Sequence, residues 1–205
     1  MIEFIYFDLG NVLLHFDHRI MVRQLAELFG ATEGEMTGWV IAADLQLDYE
    51  SGRLTSREFY EKLCQLAGSR PDYEQAMHAA SAIFAVNEPM IPLLQQLRGD
   101  GHRLGILSNT CEAHWQFVIR EFPLVPGYFE HAVLSYEVGA VKPWRNIYDR
   151  AIQSAGVAPH ALFFTDDRLE NVAGAAACGI DAEHFVSVDK LCHDLSSRGI
   201  RIACG

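Results

Sequence analysis

The chain has 205 residues, 50% of them hydrophobic and 21% charged, a length and balance that support a packed apolar core and exclude disorder as the main state. Sixteen Lys and Arg against 27 Asp and Glu leave a formal charge of −11, so the far field repels polyanions and general nucleic-acid binding is disfavoured. A small phosphorylated ligand fits that charge only where a bound cation or a placed lysine dominates locally.

In chain order, the apolar run at residues 2–7, closed by Asp8-Leu9-Gly10-Asn11, reads as a buried strand entering a loop. The long interval that follows shows helical periodicity, in Ile20, Arg23, Gln24, Glu27 and Leu28 and again in Phe59, Leu63 and Leu66, with no alternating strand pattern. Residues 16–86 are therefore expected to form an inserted helical cap, and residues 1–15 with 87–205 the core. Glu88-Pro89 marks the return to the core, since proline suits a first helical turn and its predecessor avoids helical dihedrals; residues 89–100 are the expected helix.

Further apolar runs lie at 103–107, closed by Ser108-Asn109-Thr110, at 131–134, at 161–165, closed by Asp166-Asp167, and more weakly at 181–186. Helical patterns at 113–122, 147–155, 172–178 and 190–198 separate them. This alternation predicts an α/β fold, a Rossmann-like core of five parallel strands covered on both faces.

The five cysteines are scattered, with no CxxC pair, as in a reduced cytosolic protein. Glu3 and Asp8 interrupt the N-terminal apolar run, and no apolar stretch reaches the ~18 residues of a membrane span. A soluble, cytoplasmic, unprocessed chain is expected, with no membrane or nucleic-acid partner, as a monomer or homodimer.

In an open parallel sheet, ligands sit beyond the carboxyl ends of the strands. Those ends supply Asp8, Ser108 with Asn109, and Asp166 with Asp167, while Lys142 follows the third run in Gly139-Ala140-Val141-Lys142-Pro143. Carboxylates, a hydroxyl and a lysine converging there suit a divalent cation and an anion. Each also has a structural reading: Asp8 as a strand-end residue bonding nearby amides, Ser108 to Thr110 and Asp166 or Asp167 as helix caps, Lys142 as a solvated surface lysine.

The segments Phe7 to Val12 (Phe-Asp-Leu-Gly-Asn-Val), Leu107 to Thr110 (Leu-Ser-Asn-Thr), Val141 to Pro143 (Val-Lys-Pro) and Asp166 to Val172 (Asp-Asp-Arg-Leu-Glu-Asn-Val) occur in an order and at separations that span most of the chain. In these the sequence resembles the haloacid dehalogenase-like (HAD) superfamily, in its phosphatase branch with a helical cap. The opening motif is most similar to small sugar-phosphate phosphatases of the α-D-glucose-1-phosphate phosphatase type.

The resemblance implies a Mg²⁺-dependent phosphomonoesterase acting on a small phosphorylated metabolite, with Asp8 as the nucleophile that forms an aspartyl-phosphate. It assigns the cation to Asp8, the Gly10 carbonyl and Asp167, with Asp166 and Asn171 beside it. Ser108 and Asn109 would hold phosphate oxygens, and Lys142 would neutralise charge on the nucleophile and the phosphoryl group. A non-catalytic phosphometabolite-binding protein, a phosphomutase and a metal-free dehalogenase are the alternatives.

One position departs from the family pattern. Most members carry a second Asp two residues after the nucleophile, as general acid and base, where this chain has Gly10. His15, Asp17 and His18 are candidate replacements, or else linker residues with Asp17 capping the first cap helix. The polar segment 44–53, with Tyr49, Glu50 and Arg53, either faces the substrate or is a plain helix-helix turn ended by Gly52. Cys111 is expected to be packing filler.

Overall fold

The structure is a computed structural model that describes residues 1–202. Strand β1 (Phe4–Phe7) leads into β2 (Leu14–Phe16), followed by α1 (His18–Phe29), α2 (Glu33–Thr37), a π-helical turn (Gly38–Ala42), α3 (Leu45–Glu50), α4 (Ser56–Ala67) and α5 (Tyr73–Ser81). Then come β3 (Phe84–Val86), α6 (Met90–Gly99), β4 (Arg103–Ser108), α7 (Glu112–Glu121), α8 (Leu124–Tyr128), β5 (His131–Leu134) and α9 (Ser135–Val138). The chain continues through α10 (Arg145–Ala155), β6 (Leu162–Asp166), α11 (Leu169–Ala177), β7 (Asp181–His184) and α12 (Val188–Ser197).

Five strands pair in parallel in the order β5-β4-β1-β6-β7, so β1 is central and the chain reverses direction across the sheet beside it. All four β1 residues are buried because helices cover both faces. Side chains alternate with the strand period: Phe4 and Tyr6 pack with Leu107, Phe164, Ile147 and Tyr148 on one face, Ile5 and Phe7 with Ile106, Phe163, Leu94 and Leu195 on the other. The buried Tyr6 hydroxyl donates to the Ala151 carbonyl at 2.9 Å and lies 2.6 Å from His131 Nε2.

The rings of Phe4 and Tyr6 lean over Gly105 on β4, where a Cβ would lie 2.6 Å from Tyr6 Cε1 and 2.7 Å from Phe4 Cε1. Gly105→Ala is therefore expected to overpack this face and lower stability by about 1–3 kcal/mol, read as an earlier urea midpoint. An unchanged midpoint would mean that the rings step aside freely.

Residues 18–81 are helical and carry their own apolar cluster, built on Met21, Leu25, Phe29, Met36, Phe59, Leu63 and Met77. Capping boxes at Thr32 with Glu35 and at Thr55 with Glu58 start α2 and α4. The expectation of a wholly helical segment at 16–86 needs correction at both ends. β2 and β3 pair antiparallel, Leu14 with Val86, His15 with Ala85 and Phe16 with Phe84. Three-residue strands are too short to show an alternating pattern, and their partners are remote in sequence. Asn87 fastens the base of this ribbon, its Nδ2 donating to the Val12 carbonyl at 2.8 Å and its N–H to Leu13 at 3.0 Å. Among the described residues, no helix is long and apolar enough to cross a membrane.

Candidate active site

Three strands end at one place: β1 just before Asp8, β4 at Ser108 and β6 at Asp166. Lys142 reaches the same place from the loop between α9 and α10, and it is 4% exposed. Its Nζ lies 2.8 Å from Asp8 Oδ1 and 2.6 Å from Asp166 Oδ2, and donates to the Leu107 carbonyl at 2.8 Å. All three ammonium protons thus have acceptors, unlike those of a solvated surface lysine. Asn109 clamps the lysine's backbone from both sides, accepting from Lys142 N at 2.7 Å and donating to its carbonyl at 3.0 Å. Asp166 is fully buried and takes Asn171 Nδ2 at 2.9 and 3.1 Å and the Arg168 N–H at 2.9 Å.

Burial pushes the Asp8 carboxyl up to about 7, Lys142 opposing and Asp166 adding to the rise. For Lys142 burial works against the charged form, but Asp8 and Asp166 outweigh it and hold the ammonium above its ordinary value.

Asp167 follows directly, its Oδ2 accepting from Asn11 Nδ2 at 2.9 Å and its carbonyl from His184 Nε2 at 2.9 Å. Asn11 has φ 55°, a left-handed conformation that asparagine tolerates. Carboxylate oxygens of Asp8, Asp166 and Asp167 lie within 4.8 Å of one another. Asp166 is occupied by Lys142, Asn171 and a backbone amide, which leaves Asp8 and Asp167 as the anionic donors. That is the sparse oxygen set Mg²⁺ favours, since it keeps several waters and takes one or two carboxylates.

A cavity of about 170 Å³ opens over these groups. Its floor is Asp8, Gly10, Ser108, Asn109, Lys142, Asp167 and Asn171, and its walls include Phe16, His18, Glu50, Phe84, His114 and Arg168. Ser108 Oγ donates to the Asn109 carbonyl at 3.3 Å. The Asn109 side-chain amide is spent on Lys142.

Of the candidate proton carriers, only His18 lines the cavity. His15 faces a different depression beside Asn11 and Val186. Asp17 caps α1 through the Arg19 N–H at 2.8 Å and pairs with Arg19 Nη2 at 2.6 Å, and these bonds hold its pKa down to about 2. In the 44–53 turn, Glu50 lines the cavity, Tyr49 is buried beneath it and Arg53 turns away to pair with Asp48 at 2.7 Å. Cys111 is packed into the helical cluster, and burial pushes its thiol up, away from a reactive thiolate.

Sequence reasoning gave no role to Asn11, Phe16, His114 or Arg168. Asn11 lies inside a motif already noted, but Phe16 has no local signal. A Cβ on Gly10 would sit 2.6 Å from Phe16 Cε1, so the ring fills the space above the glycine. Gly10→Asp alone is expected to lower stability by about 1–3 kcal/mol, and Phe16→Ala in the same chain to relieve the clash. Equal unfolding midpoints for Gly10→Asp and the parent would contradict this packing.

The profile of the haloacid dehalogenase-like hydrolases matches residues 2–179. The chain belongs to that family. It is 28% identical over 180 residues to a D-ribitol-5-phosphate phosphatase of Bacteroides thetaiotaomicron, covering 84% of this chain and 86% of that one. It is 26% identical over 198 residues to a pyrimidine 5'-nucleotidase of Escherichia coli, covering 89% and 87%. Among solved structures, a HAD family enzyme of Bacteroides thetaiotaomicron in complex with magnesium and inorganic phosphate superposes with a TM-score of 0.79 at 28% identity, over 90% of this chain and 94% of that one. As a family member the chain is a HAD hydrolase, and both curated relatives are phosphatases.

Proposed function

We propose that this HAD hydrolase cleaves the phosphoric monoester of a small polyol or sugar phosphate through an aspartyl-phosphate on Asp8. The observation that carries the reading is the buried Lys142 bridging Asp8 and Asp166, with the Asp167 carboxylate beside them at the floor of a polar cavity. A carboxylate needs no activating base to attack phosphorus once ionised. Lys142 holds Asp8 in place and offsets the charge gathering on the phosphoryl oxygens. Ser108 and the amides opening toward α7 bind the oxygens not engaged elsewhere. Asp8 and Asp167, with the Gly10 carbonyl on the same loop, would hold Mg²⁺, which supplies Lewis-acid stabilisation of phosphoryl charge.

The cavity of about 170 Å³ is below the ~300 Å³ at which pockets for drug-sized ligands begin, which favours a small polyol or sugar phosphate over a nucleotide. A second reading, a phosphometabolite sensor, draws on the absent carboxylate at Gly10 and the Phe16 ring in its place.

A phosphate-release screen over polyol phosphates, sugar phosphates, nucleotides and an aryl phosphate separates the two. Turnover is expected with Mg²⁺, lost in chelator, and abolished in Asp167→Ala. Full turnover in excess chelator would refute the metal assignment, and tight binding without turnover of any ester would favour the sensor.

A further inference from the structure

Release of an alkoxide from phosphorus needs a proton, and Gly10 has none to give. Asp8, Asp167 and Lys142 already have work, so the donor must come from the remaining titratable groups of the cavity: His18, His114, Arg168 and Glu50. His114 is buried with Nε2 on the Ala80 carbonyl at 3.1 Å, and burial drives its pKa down to about 4. Burial likewise pushes His18 below the usual imidazole range, so both rings are poorer proton donors than an exposed imidazole. Arg168 is engaged with Glu170 at 2.5 Å.

We propose that Glu50, at the last turn of α3, protonates the leaving-group oxygen and recovers the proton from the attacking water, replacing the carboxylate absent at Gly10. The inference rests on the phosphatase reading above.

The Glu50 carboxyl is half-buried, lines the cavity and accepts from Gln46 Nε2 at 2.9 Å through Oε1. Burial pushes it above the usual carboxylate range, with the Gln46 amide, Arg168 and Lys142 opposing, which favours the acid form the first step requires. Cys111, the other titratable neighbour, is an uncharged buried thiol.

The backbone around Glu50 is fastened to the core. Its carbonyl accepts from Ser135 Oγ at 2.5 Å, and that oxygen accepts the Thr110 N–H at 2.9 Å, next to the Ser108-Asn109 loop. Tyr49 Oη accepts the Ala113 N–H at 3.0 Å. Gly52, at φ 72°, brings the turn so close to the Tyr136 carbonyl that a Cβ would be 2.2 Å from it. A proton donor must be held within hydrogen-bond reach of its target, and these bonds fix the residue that carries this one.

In the first step an Asp8 oxygen bonds to phosphorus, the bond from phosphorus to the leaving oxygen breaks, and that oxygen keeps the electron pair and takes the Glu50 proton, leaving as an alcohol. In the second, water gives a proton to the Glu50 carboxylate as its oxygen bonds to phosphorus. The Asp8–phosphorus bond breaks, and phosphate, Asp8 carboxylate and protonated Glu50 result.

Wild type, Glu50→Gln and Asp8→Asn, all with Mg²⁺, are to be assayed on a polyol phosphate and on 4-nitrophenyl phosphate. Glu50→Gln should lose roughly 10²–10⁴-fold on the polyol ester and lose the alkaline limb of its pH profile. On the aryl ester it should give a burst of nitrophenol equal to the enzyme, then slow turnover, because 4-nitrophenolate leaves unaided while water still needs a base. A milder variant, Gln46→Ala, removes an amide that stabilises the carboxylate and should shift the alkaline limb upward. Unchanged polyol turnover, equal losses on both esters without a burst, or an unmoved limb in Gln46→Ala would overturn the role of Glu50 while wild-type activity lost in Asp8→Asn upholds the phosphatase reading. No wild-type turnover on any ester would overturn both.

Discussion

Asp8→Asn is expected to lose phosphate release by roughly 10⁶-fold, the scale seen when a covalent nucleophile is removed, and to form no acid-labile phosphoenzyme. The same change should raise the stability of the metal-free protein at pH 8. Asp8 is held near 7 in the fold, against an ordinary value of 3.8. A carboxyl whose folded pKa is raised binds more protons folded than unfolded, so stability falls as pH rises from about 4 toward 7. The Asn side chain stays neutral and escapes that loss, and the advantage should vanish near pH 4. Urea midpoints in chelator at both pH values test this; a variant less stable than the parent at pH 8 would contradict the account of Asp8 as an ionised group held at the expense of folding.

Lys142→Met should act in the opposite sense on stability. Removing one partner from a buried ion pair leaves its counter-charges uncompensated, at about 3–5 kcal/mol. Here two carboxylates, Asp8 and Asp166, would face each other with no cation between them. Without the ammonium the Asp8 pKa climbs further, so the deficit should be largest at pH 8 and shrink toward pH 5 as a proton takes the place of the lysine. Turnover should fall about 10²–10³-fold, the loss seen when a preorganised electrostatic contact to developing charge is deleted. A deficit of equal size at both pH values would show that Lys142 acts through packing rather than through charge.

The parallel sheet was legible because strands buried on both faces write their apolar character without interruption, as Phe4–Phe7 and Leu162–Asp166 do. The ribbon was not, since Leu14–Phe16 and Phe84–Val86 are short and meet only in space. The strand-end carboxylates could be read from the chain, but the contacts that bring Lys142 between Asp8 and Asp166 are long-range and leave no local mark. Glu50 is the clearest case: the sequence leaves the 44–53 turn open between facing the substrate and joining two helices, and the contacts that bring it over the site, from Ser135 to the Glu50 carbonyl, from Ala113 to Tyr49 and between Gly52 and Tyr136, lie far along the chain.

The aromatic ring above Gly10 makes positions 10 and 16 dependent on each other in descent. A carboxylate returning to position 10 meets the Phe16 ring with the first atom of its side chain and costs stability for as long as that ring stays. Shrinking position 16 first opens the space, so the two changes cost less stability in one order than in the other. In related chains, glycine at the first position and a large ring at the second should be inherited as a pair, because restoring the carboxylate alone carries a packing cost that the ring sets.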